Sequence, residues 1–272
     1  MPNVCPFLVA TQTEAMNDHD STDGDEIDAD IDSVLEAFGR EEIGVAEAKE
    51  RLSGVERVEG FARVDARQGE RTGIPEVVEA ERKTDEQLVG IGRTLLSSAG
   101  RAILTGVPES AEAKLKSIAA ESDWYERSRT LVLRADDYEP PEQRGRVGVV
   151  TAGTSDIAVA EQSVALASEM GCVVDTVYDV GVSAIHRLLG ELEALEECDC
   201  VIVAAGREGA LATVVAGLIS SPVIGLPVGT GSGYGGDGEA ALMGMLQSCT
   251  YLTVVNIDAG FVAGGQAALI AR

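Results

Sequence analysis

Lysine is scarce: Lys49, Lys83, Lys114 and Lys116 are the four lysines among 21 basic residues, set against 46 acidic ones for a formal net charge of −25. A surface of that sign repels nucleic acid and anionic membranes, so neither is an expected partner. It suits a very salty cytoplasm instead. Histidine is scarcer still, with His19 and His186 alone, which nearly excludes a histidine-based metal site. No run approaches the ~20 apolar residues of a membrane span. The opening stretch "MPNVCPFLVATQTE" lacks a basic n-region, and the expected location is the cytoplasm. The five cysteines (Cys5, Cys172, Cys198, Cys200 and Cys249) are odd in number and without metal-ligand spacing, which points to free thiols. No Gly-rich loop ends in G-K-[ST], so P-loop nucleotide hydrolysis is unsupported.

What is present divides into three parts. Residues 1–30, with the acidic run "QTEAMNDHDSTDGDEIDAD", read as a disordered tail. Residues 31–140 read as a small α/β domain: a helix from Ile31 with Val34, Leu35 and Phe38 on one face, strand candidates "GFARVDA", "RAILTG" and "RTLVLRA", and a helix opening at Thr84. The Pro-rich, charged "DDYEPPEQRG" is a linker. From 145 to 272 five apolar strands alternate with helices, the pattern of a doubly wound parallel sheet covered on both faces. Ligands in such sheets bind beyond the carboxyl ends of the strands.

The loops at those ends hold the candidates. "TAGTSD" brings Gly153, Thr154, Ser155 and Asp156 to a helix start, either an ordinary cap or a seat for phosphate and ribose. "DVGVSAIHRLL" holds His186, structural or ligand-facing, and Arg187, suited to an anion. "AAGREGALATVV" puts Gly206, Arg207, Glu208 and Gly209 after a buried strand, with Glu208 either a helix cap or a base. "PVGTGSGYGGDGE", with Gly233, Tyr234 and Gly235, is too glycine-rich to be rigid alone and folds over a ligand or a neighbouring subunit. Cys249 in "LQSCTYLTVVNID" precedes its strand and is either a quiet core thiol or a nucleophile.

Together "TAGTSD", "HR", "AGREGA", "LPVGTGSGYG", "MLQSC" and "VVNIDAGF" resemble the carboxylase-like domain of the LarB family of nickel-pincer cofactor biosynthesis. The segment "VDARQGERTGIPEVV" extends the resemblance into the first half through Asp65, Arg71, Gly73 and Glu76, with Ala66, Arg67 and Gln68 departing from the usual residues. The second half is more distantly similar to aminoimidazole ribonucleotide carboxylases and mutases, a flavodoxin-like fold. Their catalytic histidine corresponds to Ala210 here, which argues against a purine role.

The resemblance implies an enzyme with nicotinic acid adenine dinucleotide and CO2 or bicarbonate as substrates. It would carboxylate the pyridinium ring and hydrolyse the phosphoanhydride to pyridinium-3,5-biscarboxylic acid mononucleotide and AMP. It implies Cys249 as nucleophile and Glu208 as base. Gly153, Thr154, Ser155, Asp156, His186, Arg187, Gly206, Arg207, Gly209, Gly233, Tyr234, Gly235, Asn256 and Asp258 would contact substrate. No tightly bound cofactor is implied; a divalent metal such as Mg2+ held by Asp156 or Asp258 would serve hydrolysis. A homo-octamer is the family's assembly. The alternatives are a purine-type carboxylase and a non-catalytic nucleotide-binding protein.

Overall fold

The structure, a computed structural model, describes residues 22–58 and 60–272. The expected tail over residues 1–21, with Cys5 and His19, lies outside the described residues. The chain forms two compact units, one ending at Leu52 and the other spanning Ser53–Arg272. In the first, α1 (Thr22–Gly39) begins well before Ile31, and α2 (Val45–Ser53) follows a break in which Glu41 turns left-handed, φ 60°. Val34, Ile43 and Ala48 form its small core, while Leu35 and Phe38, expected on the same face, are exposed.

The second unit opens with the hairpin β1 (Val55–Val58) and β2 (Ala62–Asp65), then α3 (Gln68–Thr72), β3 (Val77–Glu79) and α4 (Asp85–Ala99). Thr84 starts α4 through a capping box: its hydroxyl accepts the Gln87 amide at 3.3 Å and the Gln87 side chain accepts the Thr84 amide at 3.0 Å. β4 (Arg101–Thr105), α5 (Glu109–Lys116), β5 (Glu121–Tyr125) and β6 (Thr130–Arg134) complete a mixed sheet of order β3-β4-β6-β5. β5 is a polar edge strand, "ESDWY", held by backbone pairing rather than by an apolar pattern.

The larger layer runs β7 (Arg146–Thr151), α6 (Ile157–Glu169), β8 (Val173–Val177), α7 (Ile185–Leu189), α8 (Leu192–Glu196), β9 (Cys200–Ala205), α9 (Ala210–Ala216), β10 (Val223–Pro227), α10 (Glu239–Leu246), β11 (Leu252–Val254) and α11 (Gly260–Ala271). Its five strands are all parallel in the order β11-β10-β9-β7-β8, the flavodoxin-like arrangement. β9 and β10 are buried along their whole length, as central strands covered on both faces must be. Apolar cores lie on each face. The order reverses between β7 and β9, so the loops after those two strands open a crevice at the carboxyl edge. Among the described residues no helix is long and apolar enough to cross a membrane.

Candidate active site

That crevice is a cavity of about 410 Å³, within the range of small-ligand sites. Gly153, Ser155 and Asp156 line it from the loop after β7, Val182 and Ser183 from the loop after β8, and Arg207 and Glu208 from the loop after β9. Thr230, Gly231 and Ser232 close it from the root of the Gly-rich loop. Ser183, Thr230 and Ser232 escaped the sequence reading. Their signal was present in "VGVS" and "GTGS", hydroxyls just beyond the carboxyl ends of strands.

Asp156 organises two of these loops. It is buried, and its carboxylate accepts the Gly153 amide at 2.9 Å and the Thr230 hydroxyl at 2.9 Å. Burial raises its pKa above the ordinary aspartate value, against the hydrogen bonds that lower it. Gly206 sits where a Cβ would come within 3.1 Å of the Thr230 hydroxyl, which lets the loops after β9 and β10 touch. Asp258 pins the same loop root from the other side, accepting the Gly229 amide at 2.8 Å. Both aspartates, named from sequence as ribose or metal ligands, have oxygens committed to backbone and hydroxyl donors. Among the described residues no group of three His, Cys, Asp or Glu side chains is placed to hold a cation.

Arg207 and Glu208 are exposed to the cavity, and among the described residues neither side chain has an ionic or hydrogen-bonded partner. Arg207 is held in the left-handed region at φ 49°. Ala210 lines the same wall, so the position of the purine family's histidine faces the cavity and carries no proton-handling group.

Other predicted residues fall elsewhere. Thr154 is exposed beside the cavity but does not line it. His186 and Arg187 lie on the exposed side of α7, and Arg187 pairs with Asp179 at 2.5 Å. Gly209 serves packing: with φ 68°, a Cβ there would meet the Ala241 carbonyl at 2.8 Å. Gly235 is likewise packed, against Ala240. Gly233 is open at φ 104°, and Tyr234 beside it is 110% exposed. Asn256 is exposed and accepts the Ile257 amide at 2.9 Å.

Cys249 lies outside the cavity. It is exposed and enters β11, whose first residue Leu252 pairs with Val223 at the start of β10. The cavity opens beyond the other end of β10, and Cys249 is not among the residues that line it. Cys172, Cys198 and Cys200 are buried free thiols, and burial pushes Cys198 up to about 11 and Cys200 up to about 12. In the first half, Asp65 pairs with Arg71, Glu76 accepts the Asp65 amide, and Arg272 donates to the Gly73 carbonyl at 2.7 Å. The segment shared with the family thus ties its loop to the chain's C-terminal residue.

A parallel sheet with a crevice at its β7/β9 reversal, lined by hydroxyls, amides and a carboxylate, is a doubly wound ligand-binding fold, and its family is one of carboxylase-type enzymes. Residues 146–272 match the AIR carboxylase family, and residues 55–135 match the LarB/PurE-like N-terminal domain. An uncharacterized protein of Methanocaldococcus jannaschii is 36% identical over 257 residues, covering 88% of this chain and 96% of that protein. The chain belongs to the LarB family. A solute binding protein of an ABC transporter from Bradyrhizobium sp. BTAi1, with bound bis-tris, is similar over 49% of this chain and 55% of that one. At 14% identity and a TM-score of 0.23, that likeness bears on nothing further.

Proposed function

We propose that the protein carboxylates the pyridinium ring of nicotinic acid adenine dinucleotide with CO2 or bicarbonate. It also hydrolyses the phosphoanhydride, releasing pyridinium-3,5-biscarboxylic acid mononucleotide and AMP. The observation that carries this reading is the cavity wall itself: Glu208 faces it unpaired, and Ala210 stands where purine carboxylation needs a histidine. A pyridinium ring is electron-poor and does not attack CO2. Addition of the Cys249 thiolate to a ring carbon forms a C–S bond and leaves a neutral dihydropyridine. This enamine attacks CO2 through its nucleophilic carbon. Glu208 then takes the proton from that carbon, the electron pair restores the aromatic ring, and the thiolate leaves.

Glu208 lines the cavity and Cys249 does not; in this reading the nucleophile enters from another copy in a homo-oligomer. The surroundings of Cys249 support this reading. Met243, Leu246, Leu218 and Tyr251 are exposed around the same sheet edge, apolar surface of the sort subunit interfaces cover.

The test incubates the protein with nicotinic acid adenine dinucleotide and labelled bicarbonate and follows dicarboxylated mononucleotide and AMP. Cys249→Ala abolishes ring carboxylation. Glu208→Gln accumulates the cysteine adduct, seen by mass spectrometry, without carboxylated product. Mixing the two inactive variants restores roughly a quarter of wild-type activity if each site draws its cysteine and glutamate from different copies. Full activity in Cys249→Ala removes the nucleophile from the mechanism, and no recovery on mixing removes the shared site.

A further inference from the structure

Three charged side chains line the cavity: Asp156, Arg207 and Glu208. The buried carboxylate of Asp156 is occupied by Gly153 and Thr230, which leaves Arg207 and Glu208 to face a ligand. They are neighbours in sequence and opposite in sign, yet they pair neither with each other nor with any described residue. Elsewhere arginines readily find carboxylates, as in Arg71–Asp65, Arg134–Glu169, Arg146–Asp175 and Arg187–Asp179. Arg207 is the arginine that lines the cavity, and its guanidinium is open to a ligand there.

Its backbone points the same way. Left-handed non-glycine backbone occurs at Arg82 and Arg129 as well as at Glu41, Asp179, Arg207, Asp237 and Asp258, and of these Arg207 is the one that lines the cavity. Aspartate tolerates that conformation through local hydrogen bonds; arginine has no such compensation. The strain is borne at the cavity wall, where strained residues serve ligands.

Resting on the pyridine-dinucleotide reading, we infer that Arg207 binds the ring carboxylate of the substrate and thereby selects the pyridine carboxylic acid over its carboxamide. A pyridinium carboxylate is a zwitterion, and an unpaired cation beside an unpaired anion matches both of its charges. A carboxamide ring engages the Glu208 side only. A phosphate needs neither charge of this pair, because the cavity also offers the hydroxyls of Ser155, Thr230 and Ser232. The planar guanidinium matches a carboxylate with two parallel N–H donors, which an ammonium does not.

The test measures affinity of the full-length protein for nicotinic acid mononucleotide and for nicotinamide mononucleotide, which share the phosphate and ribose. Wild type favours the acid by roughly ten- to hundredfold. In Arg207→Gln that ratio falls towards one through loss of acid binding, with amide binding within about twofold of wild type. Arg207→Lys retains an intermediate ratio, and Arg207→Gly, which relieves the left-handed backbone, reproduces the glutamine result. An unchanged ratio, an equal loss for both nucleotides, or a wild type that does not discriminate overturns the assignment while leaving the proposed reaction standing. A wild type that binds neither nucleotide overturns the pyridine-dinucleotide reading itself.

Discussion

Asp156 is the residue on which the cavity's shape depends. Its buried carboxylate accepts donors from two loops, the Gly153 amide and the Thr230 hydroxyl, and losing it frees both loops at once. Asp156→Asn keeps the size but sets an amide donor against one of those donors, and is expected to cost about 1–3 kcal/mol. Thr230→Val removes one bond and costs about 1 kcal/mol; chemical denaturation measures both. The pH dependence has a definite sign. Because burial raises the folded-state pKa, the group's contribution is full below the unfolded aspartate value of ~3.9 and declines as pH rises through the folded value. Asp156→Asn therefore flattens that part of the stability–pH curve. A reader of "TAGTSD" sees a carboxylate at a helix start. That its oxygens face Gly153 and Thr230 rather than a ribose follows from a residue 74 positions away.

At the scale of elements, the site rests on α6 and α11 packing against one sheet face. Ser163 donates to the Gly260 carbonyl at 2.7 Å, and a Cβ at Gly264 would lie 2.7 Å from the Ser163 carbonyl oxygen. Gly264→Ala forces the helices apart and is expected to lower stability by about 1–3 kcal/mol. Gly190→Ala, in open surroundings, stays within about 0.5 kcal/mol, and thermal unfolding compares the two. The five parallel strands were legible because continuous apolar runs between helices admit few other arrangements. Less legible were β1 and β5, short polar strands defined by their partners. The stretch between β8 and β9 holds two short helices, α7 and α8, separated at Gly190. Local pattern does not separate one bent helix from two short ones.

At the scale of the molecule, the mixed sheet shares an apolar core with the parallel layer, Ile103 and Val132 with Leu166 and Met170, and a buried carboxylate joins them beside it. Glu169 at the end of α6 pairs with Arg134 of β6 and lies 3.5 Å from Arg101 of β4. Arg101 in turn donates to the Tyr138 hydroxyl oxygen at 2.6 Å. Glu169→Ala strands two largely buried arginines and is expected to cost about 3–5 kcal/mol. Added salt should raise the melting temperature of wild type, by screening repulsion among charges that sum to −25. It should leave the Glu169→Ala deficit nearly intact, because a buried pair is screened little. A deficit that vanishes in high salt would make Glu169 an ordinary surface charge. Nothing in "ALASEMGC" marks this glutamate, since its partners lie on strands read as a separate domain.

The sequence by itself determined the layer architecture, the family and the small set of loops in which the chemistry lies. Strand periodicity, glycine placement and the absence of a histidine at 210 are local properties that survive without coordinates. Tertiary structure alone decided which residues of those loops share a cavity. It closed Asp156 and Asp258 onto the Gly-rich loop, left Arg207 and Glu208 open, and left Cys249 exposed outside the cavity. The physical reason is that a parallel strand separates its two ends by its full length. A residue's place before or after a strand counts for more than its company in a motif.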